Sequence, residues 1–232
     1  MVLIPDIIEQ IQMTTLADQI IDQLRKAIIT GQIRGGERLS EPQLAAQLGV
    51  SRSPVREALK RLQIDGLVIG QPNHGCYVWS PSDQDIREIF SLRTMIEILA
   101  AEWVIDVLEE NDFALLNDSI LQTQKYIEKQ DYFKLIHEDK HFHEYICSRA
   151  GHNRLMDHWR QIMWQWELLI SYRIRVNPEA VVHSVVTDHQ ELLAAFRSRN
   201  LDKVTWLHRT VNDRVIQSTR DALMDSPKAA IR

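Results

Sequence analysis

The stretch from Gly36 to Gly75 constrains the fold of this chain more than any other. It reads Gly36-Glu37-Arg38-Leu39-Ser40-Glu41, then Leu44-Ala45-Ala46-Gln47-Leu48-Gly49-Val50, then Ser51-Arg52-Ser53-Pro54-Val55-Arg56-Glu57-Ala58-Leu59. Leu44, Ala45 and Leu48 recur at helical spacing, and Ser40 stands where a hydroxyl can cap the first turn. Gly49 fits the position just past a helix end, where a positive φ is needed. Ser51 is placed to cap the next helix, and Pro54 falls in its first turn, where no N–H is missed. Val55, Leu59 and Leu62 bury one face of that helix. Two short helices joined by a Gly-containing turn make a helix-turn-helix. Beyond it, Leu67-Val68-Ile69 and Cys76-Tyr77-Val78-Trp79 flank Gln71-Pro72-Asn73-His74-Gly75, which predicts a β-hairpin, or wing. A helix from about Leu16 to Thr30, striped by Ile20, Leu24, Ala27 and Ile28, precedes the unit.

This layout presents a helix N-terminus to the DNA major groove. Ser51, Arg52, Ser53 and Arg56 are left exposed there, with Lys60 one turn further on. Arg suits bidentate contact to guanine, and Ser suits phosphate oxygens. The wing tip, with His74 and Gly75, is in position for the minor groove. Taken singly, an Arg on a helix usually only solvates it; the long, position-specific string favours DNA.

The net charge of −5 is at first sight wrong for a DNA-binding protein. Divided, it is not. Residues 1–80 hold eight basic and eight acidic side chains, whereas residues 81–232 hold 19 and 24. Between Arg34 and Arg61 six basic residues face three acidic ones. The positive patch is local, and an acidic second domain dilutes it.

The string resembles the GntR family of bacterial winged-helix regulators over Thr15 to Trp79. The family pattern runs Gly-Glu-Arg-Leu, Leu-Ala, Gly-Val-Ser-Arg-Thr-Pro-Val-Arg-Glu-Ala-Leu, Gly-Leu-Val and a closing Gly, and Ser53 stands where Thr is usual. The resemblance implies that Ser51, Arg52, Ser53, Arg56 and Gly75 meet operator DNA, with Arg38 a weaker match.

Length and a 44% hydrophobic content allow two domains. We expect a DNA-binding domain over 13–80, a linker at Trp79-Ser80-Pro81-Ser82-Asp83 and an all-α domain over 83–224. The fold class is mainly α: an N-terminal winged helix-turn-helix plus a C-terminal antiparallel all-α bundle. Gly151 and Pro178 are the only breakers that matter in the second part, so helices are predicted near 83–109, 112–129, 131–150, 152–175, 179–199 and 201–224. Residues 1–12 and the segment from Ser226 read as tails. Cys76 and Cys147 belong to no C-x-x-C pair, so no disulfide framework is expected. The sequence carries no signal-peptide pattern and no membrane span, which predicts a cytoplasmic location. Trp159, Trp164 and Trp166 are expected in core or interface.

The polar exceptions in the bundle point to a site. Asp139 and His143 share an inward face with Leu135, Phe142 and Ile146. His189 lies among Val185, Val186, Leu192, Leu193 and Phe196. Buried, these three need partners. A divalent metal (zinc, nickel, manganese or iron) satisfies all three at once; so does an ordinary buried ion-pair network. No inward Glu is identifiable near them.

Asp139-Lys140-His141-Phe142-His143 with Ala150-Gly151-His152-Asn153, Asp188 through Phe196, and Ser91-Leu92-Arg93-Thr94-Met95-Ile96-Glu97 resemble the FCD effector domain over roughly 85–220. In metal-binding members an Asp and three His hold the ion. Asp139, His143 and His189 match the first three. The fourth falls near Val211, and His208 sits three residues earlier: either it substitutes, or the site has three ligands, or it holds no metal.

The resemblance implies a ligand-responsive regulator, a repressor, acting as a homodimer on operator DNA. Its effector is a small carboxylate in the bundle, with Arg93 as a partner. The alternatives are a regulator with a purely structural metal, or a metal-dependent hydrolase fused to a DNA-binding domain.

Overall fold

The computed structural model describes residues 15–71 and 74–225. The expected tails, and Pro72 and Asn73 of the wing turn, lie outside the described residues. The winged helix begins with α1 (Leu16–Ile29), opened by a capping box in which Thr15 and Asp18 satisfy each other's backbone N–H. Then come β1 (Arg38–Leu39), α2 (Glu41–Leu48), α3 (Arg52–Ile64), β2 (Val68–Gln71) and β3 (Gly75–Val78). The sheet order is β1-β3-β2, antiparallel throughout, with Arg38 opposite Tyr77 and Val68 opposite Val78. The wing is thus three-stranded, not a hairpin alone. Val55, Ala58, Leu59 and Leu62 bury α3 against Ile20, Leu24 and Ile28 of α1.

Gly49 closes α2 with φ +67°, in the left-handed region that glycine adopts without strain. Ser40 and Ser51 hold the N-cap positions with extended backbones, but neither hydroxyl caps its helix. The expected capping bonds are therefore absent, and the Ser51 hydroxyl keeps its hydrogen-bonding capacity.

The second part is helical: α4 (Asp83–Val104), α5 (Glu110–Glu128), α6 (Tyr132–Arg149), α7 (Asn153–Val176), α8 (Pro178–Arg197) and α9 (Leu201–Asp225). Ser82 and Asp85 form the capping box that starts α4. The first predicted boundary needs correction, because α4 stops at Val104 and α5 starts at Glu110, not 112. Arg199, from the turn after α8, donates to the carbonyls of Ile105 and Leu108 and so ends α4 early. Asp112 then accepts the Glu109 backbone N–H at 2.8 Å and fixes the start of α5. Short links make α5/α6, α6/α7 and α8/α9 packed neighbours, while α4 packs on α9, α7 and α6.

The winged helix rests on α7. The Arg25 guanidinium lies 3.9 Å over the Trp164 ring and donates at 2.6 Å to Asp65, the C-cap of α3. Gln165 donates to the Gly66 carbonyl and Arg175 to the Ile29 carbonyl, each at 3.3 Å. Among the described residues no helix is long and apolar enough to cross a membrane.

Candidate functional site

At the winged helix, Ser51, Arg52, Ser53, Arg56 and Lys60 are all exposed at and along the start of α3. Arg56 is not free: its Nε lies 3.1 Å from Glu41 Oε2 at the start of α2. Arg38, His74 and Gly75 gather at the wing. A Cβ on Gly75, whose φ is +98°, would sit 3.4 Å from Arg38 Nε, so glycine here admits both the backbone turn and the arginine. The eight sequence-selected residues thus fall into two groups, one on α3 and one on the wing.

The second site is a cavity of about 850 Å³, counted with its mouth, among α4, α6, α7, α8 and α9. Such a volume suits a small organic ligand. Arg93, Asp139, His143, His189 and His208 all line it. His189 Nε2 lies 3.2 Å from Asp139 Oδ1 and 3.2 Å from His143 Nε2. Ligating atoms about 3 Å apart are what an ion with bonds of about 2.1 Å requires. Asp139 Oδ2 and His189 Nδ1 are buried with no hydrogen-bond partner. One carboxylate with two imidazoles is a donor set for the first-row metals named above, so these residues fit a divalent ion.

Glu97 corrects the sequence reading, which found no inward Glu. It is buried at the centre of the bundle and draws partners from four helices. Arg93 Nε donates to it at 2.7 Å and Trp159 Nε1 at 3.3 Å; His143 Nδ1 stands 3.4 Å away and His208 Nδ1 3.3 Å away. His208 therefore joins the cluster through Glu97. Glu97, His143 and His208 form a second metal-capable group that shares His143 with the first. Arg93, expected at an effector, is already engaged: besides Glu97, it stacks 4.0 Å over Trp166 and lies 3.9 Å from Asp139.

Burial pushes the Asp139 carboxyl up, but the hydrogen bond and charge of His189, with His143 and Arg93, overcome it and hold it at about 2. Burial likewise acts on Glu97, and Arg93 and His143 more than reverse it, holding it well below the usual carboxylate range. Burial pushes His143 below its ordinary value against the pull of Glu97. The site therefore contains ionised carboxylates and a His143 biased to the neutral form that metal binding needs. Of the tryptophans, Trp159 and Trp166 are core residues, whereas Trp164 serves the contact with the winged helix.

A winged helix-turn-helix carried on an all-α bundle with a polar-floored cavity is the build of a bacterial ligand-responsive transcription regulator. Residues 16–78 match the bacterial regulatory proteins of the gntR family, and residues 88–211 match the FCD domain. The chain belongs to the GntR family, with an FCD domain behind the winged helix. It is 37% identical over 137 residues to the HTH-type transcriptional regulator YdhC of Bacillus subtilis, an alignment spanning 59% of this chain and 61% of that one. It is 31% identical over 198 residues to the gluconate operon transcriptional repressor of Bacillus licheniformis, spanning 82% of this chain and 80% of that one. A crystal structure of a GntR transcriptional regulator from Rhodococcus sp. RHA1 superposes with a TM-score of 0.73 at 25% identity, covering 91% of this chain and 99% of that one. These relatives are regulators of transcription, not enzymes.

Proposed function

We propose that this chain is an operator-binding repressor, cytoplasmic and homodimeric, with a DNA-binding domain over 13–80 and a ligand-binding domain over 83–224. Arg52 and Arg56 read base edges, Ser51, Ser53 and Lys60 contact phosphates, and Arg38, His74 and Gly75 bring the wing to the neighbouring groove. Asp139, His143 and His189 hold a divalent metal, and Glu97 positions His143 and His208 through their Nδ1 atoms. The metal would supply a Lewis-acidic point for an anionic effector; the chain's own residues shape the chamber, with a polar floor under an aliphatic wall at Ile170, Ile174 and Val215.

The observation that carries this reading is the junction of the two sites. The α7 helix lines the effector cavity with Trp166 and Arg173, and the same helix supports the winged helix through Trp164, Gln165 and Arg175. A ligand that prefers one arrangement of α7 shifts the population of DNA-competent dimers. A stripe on α4 favours the dimer: Leu92, Met95, Leu99 and Trp103 are exposed on one helical face.

The test is fluorescence anisotropy on DNA from upstream of the chain's own gene, with and without added zinc and small carboxylates. The reading expects sequence-specific binding that one of these additions alters at least severalfold. Binding that no addition alters would contradict the effector arm; DNA binding without sequence preference would contradict the whole.

A further inference from the structure

The two arginines at the start of the recognition helix stand in different surroundings. Arg52 meets no carboxylate among the described residues, whereas Arg56, one turn later on α3, is held by Glu41. Its Nε lies 3.3 Å from Glu41 Oε1 and 3.1 Å from Glu41 Oε2. Both contacts use Nε. Among the described residues the two terminal nitrogens of Arg56 meet no acceptor, and that end-on pair suits a bidentate contact to guanine O6 and N7.

The side chains of Arg56 and Glu41 are 55% and 27% exposed. An ion pair so open to water adds little to stability, and its consequence is geometric. Glu41 opens α2, where a proline in the first turn fixes the backbone and the helix dipole favours a carboxylate. It is thus a firm support for a long side chain that would otherwise rotate. Burial, and then the charge of Glu41, push the Cys76 thiol up, so the carboxylate also stands near the wing. The pairing has an electrostatic consequence as well. A carboxylate repels phosphates, and it weakens Arg56 as a phosphate partner. Holding an arginine off the DNA backbone and toward a base gains selectivity and gives up non-specific affinity.

We propose that Glu41 is a positioning residue for operator selectivity: it holds the Arg56 fork for one guanine and keeps it from the phosphates. The inference rests on the operator-binding reading above and adds to it the residue that sets selectivity at that base pair.

The test uses the full-length protein and the duplex that it selects from a random pool. Each base pair of the half-sites is substituted in turn, and an unrelated duplex reports non-specific binding. Arg56→Ala identifies the base pair that Arg56 reads. Glu41→Ala is expected to reduce discrimination at that base pair, and at no other, by about fivefold or more, the low end of what a bidentate contact supplies. Its non-specific affinity should hold or rise. Glu41→Gln keeps an acceptor for Nε without the charge and should keep more of the discrimination. In the Arg56→Ala background, Glu41→Ala should remove no further discrimination. If Glu41→Ala loses cooperative unfolding, the Gln variant carries the comparison. A Glu41→Ala protein that weakens on all duplexes alike, or that discriminates as the wild type does, overturns the positioning role and leaves the regulator reading intact. Glu57→Gln removes a charge from α3 that has no ion-pair partner among the described residues; loss of the same base pair there would make the effect one of charge alone and overturn the proposal. If Arg56→Ala singles out no base pair, Glu41 has nothing to position and the proposal falls. If the wild type selects no sequence, the regulator reading falls first and this inference with it.

Discussion

Oε2 of Glu97 lies 3.4 Å from Nδ1 of His143 in the centre of the bundle. A carboxylate at that nitrogen favours the tautomer with the proton on Nδ1, which leaves the Nε2 lone pair directed toward His189 and Asp139. Glu97 thus orients a metal ligand. Glu97→Ala is expected to lower zinc affinity about 10- to 100-fold, the usual effect of removing such a support. Competition with a chromophoric chelator measures it, and an unchanged affinity would refute the role.

The ion pair between Arg56 and Glu41 sets the starting state of the recognition helix. Arg56→Ala should cost about 1–3 kcal/mol of operator binding and relax specificity at one base pair. Lys60→Ala, which removes a phosphate contact, should instead weaken all sequences alike and reduce the salt dependence by about one ion. Anisotropy titrations over a salt series separate the two; operator affinity indifferent to both changes would dismiss the assignment.

Much of this was legible in the chain itself, for reasons that differ by element. The helix-turn-helix is written in local rules: Gly49 must take a left-handed turn, and Val55, Leu59 and Leu62 repeat along one face. Asp139, His143 and His189 could be singled out because each interrupts an apolar stripe. Glu97 could not, because its burial depends on Arg93, His143, Trp159 and His208, which three-dimensional packing collects from four helices. β1 is two residues long and exists only through its pairing with β3. The break between α4 and α5 depends on Arg199, which is remote in sequence.

The α4 stripe predicts where copies meet. Leu99 and Trp103 are 39% and 54% exposed and continue the apolar line of Leu92 and Met95. Leu99→Glu with Trp103→Glu should convert a dimer to a monomer in sedimentation equilibrium while leaving the helix content unchanged. A wild-type monomer, or a variant that still dimerises, would remove α4 from the interface.

Acid should act on the α5–α6 contact. Asp112 is buried, which by itself raises its carboxyl pKa. The Tyr145 hydroxyl at 2.6 Å, the Glu109 N–H and Arg149 outweigh that and hold it below the ordinary value. A carboxyl depressed in the folded state adds stability above its unfolded pKa of about 3.9, and that stability is lost as pH falls through the folded value. Asp112→Asn should therefore cost about 1–3 kcal/mol at neutral pH. The Tm gap between the two proteins should narrow as pH falls below the unfolded carboxylate pKa of about 3.9. A gap that does not narrow in acid would show that the carboxylate charge plays no part.

The central claim is that two copies of this winged helix read a symmetric DNA site. Selection of random double-stranded DNA by the purified full-length protein tests it most directly, because the protein itself picks out its operator from the pool. The account predicts enrichment of a near-palindrome whose half-sites are centred about one helical turn, roughly 34–36 Å, apart. It also predicts that the Arg52→Ala/Arg56→Ala protein enriches nothing. No enriched sequence from the wild type, or the same sequence from the doubly substituted protein, would contradict it.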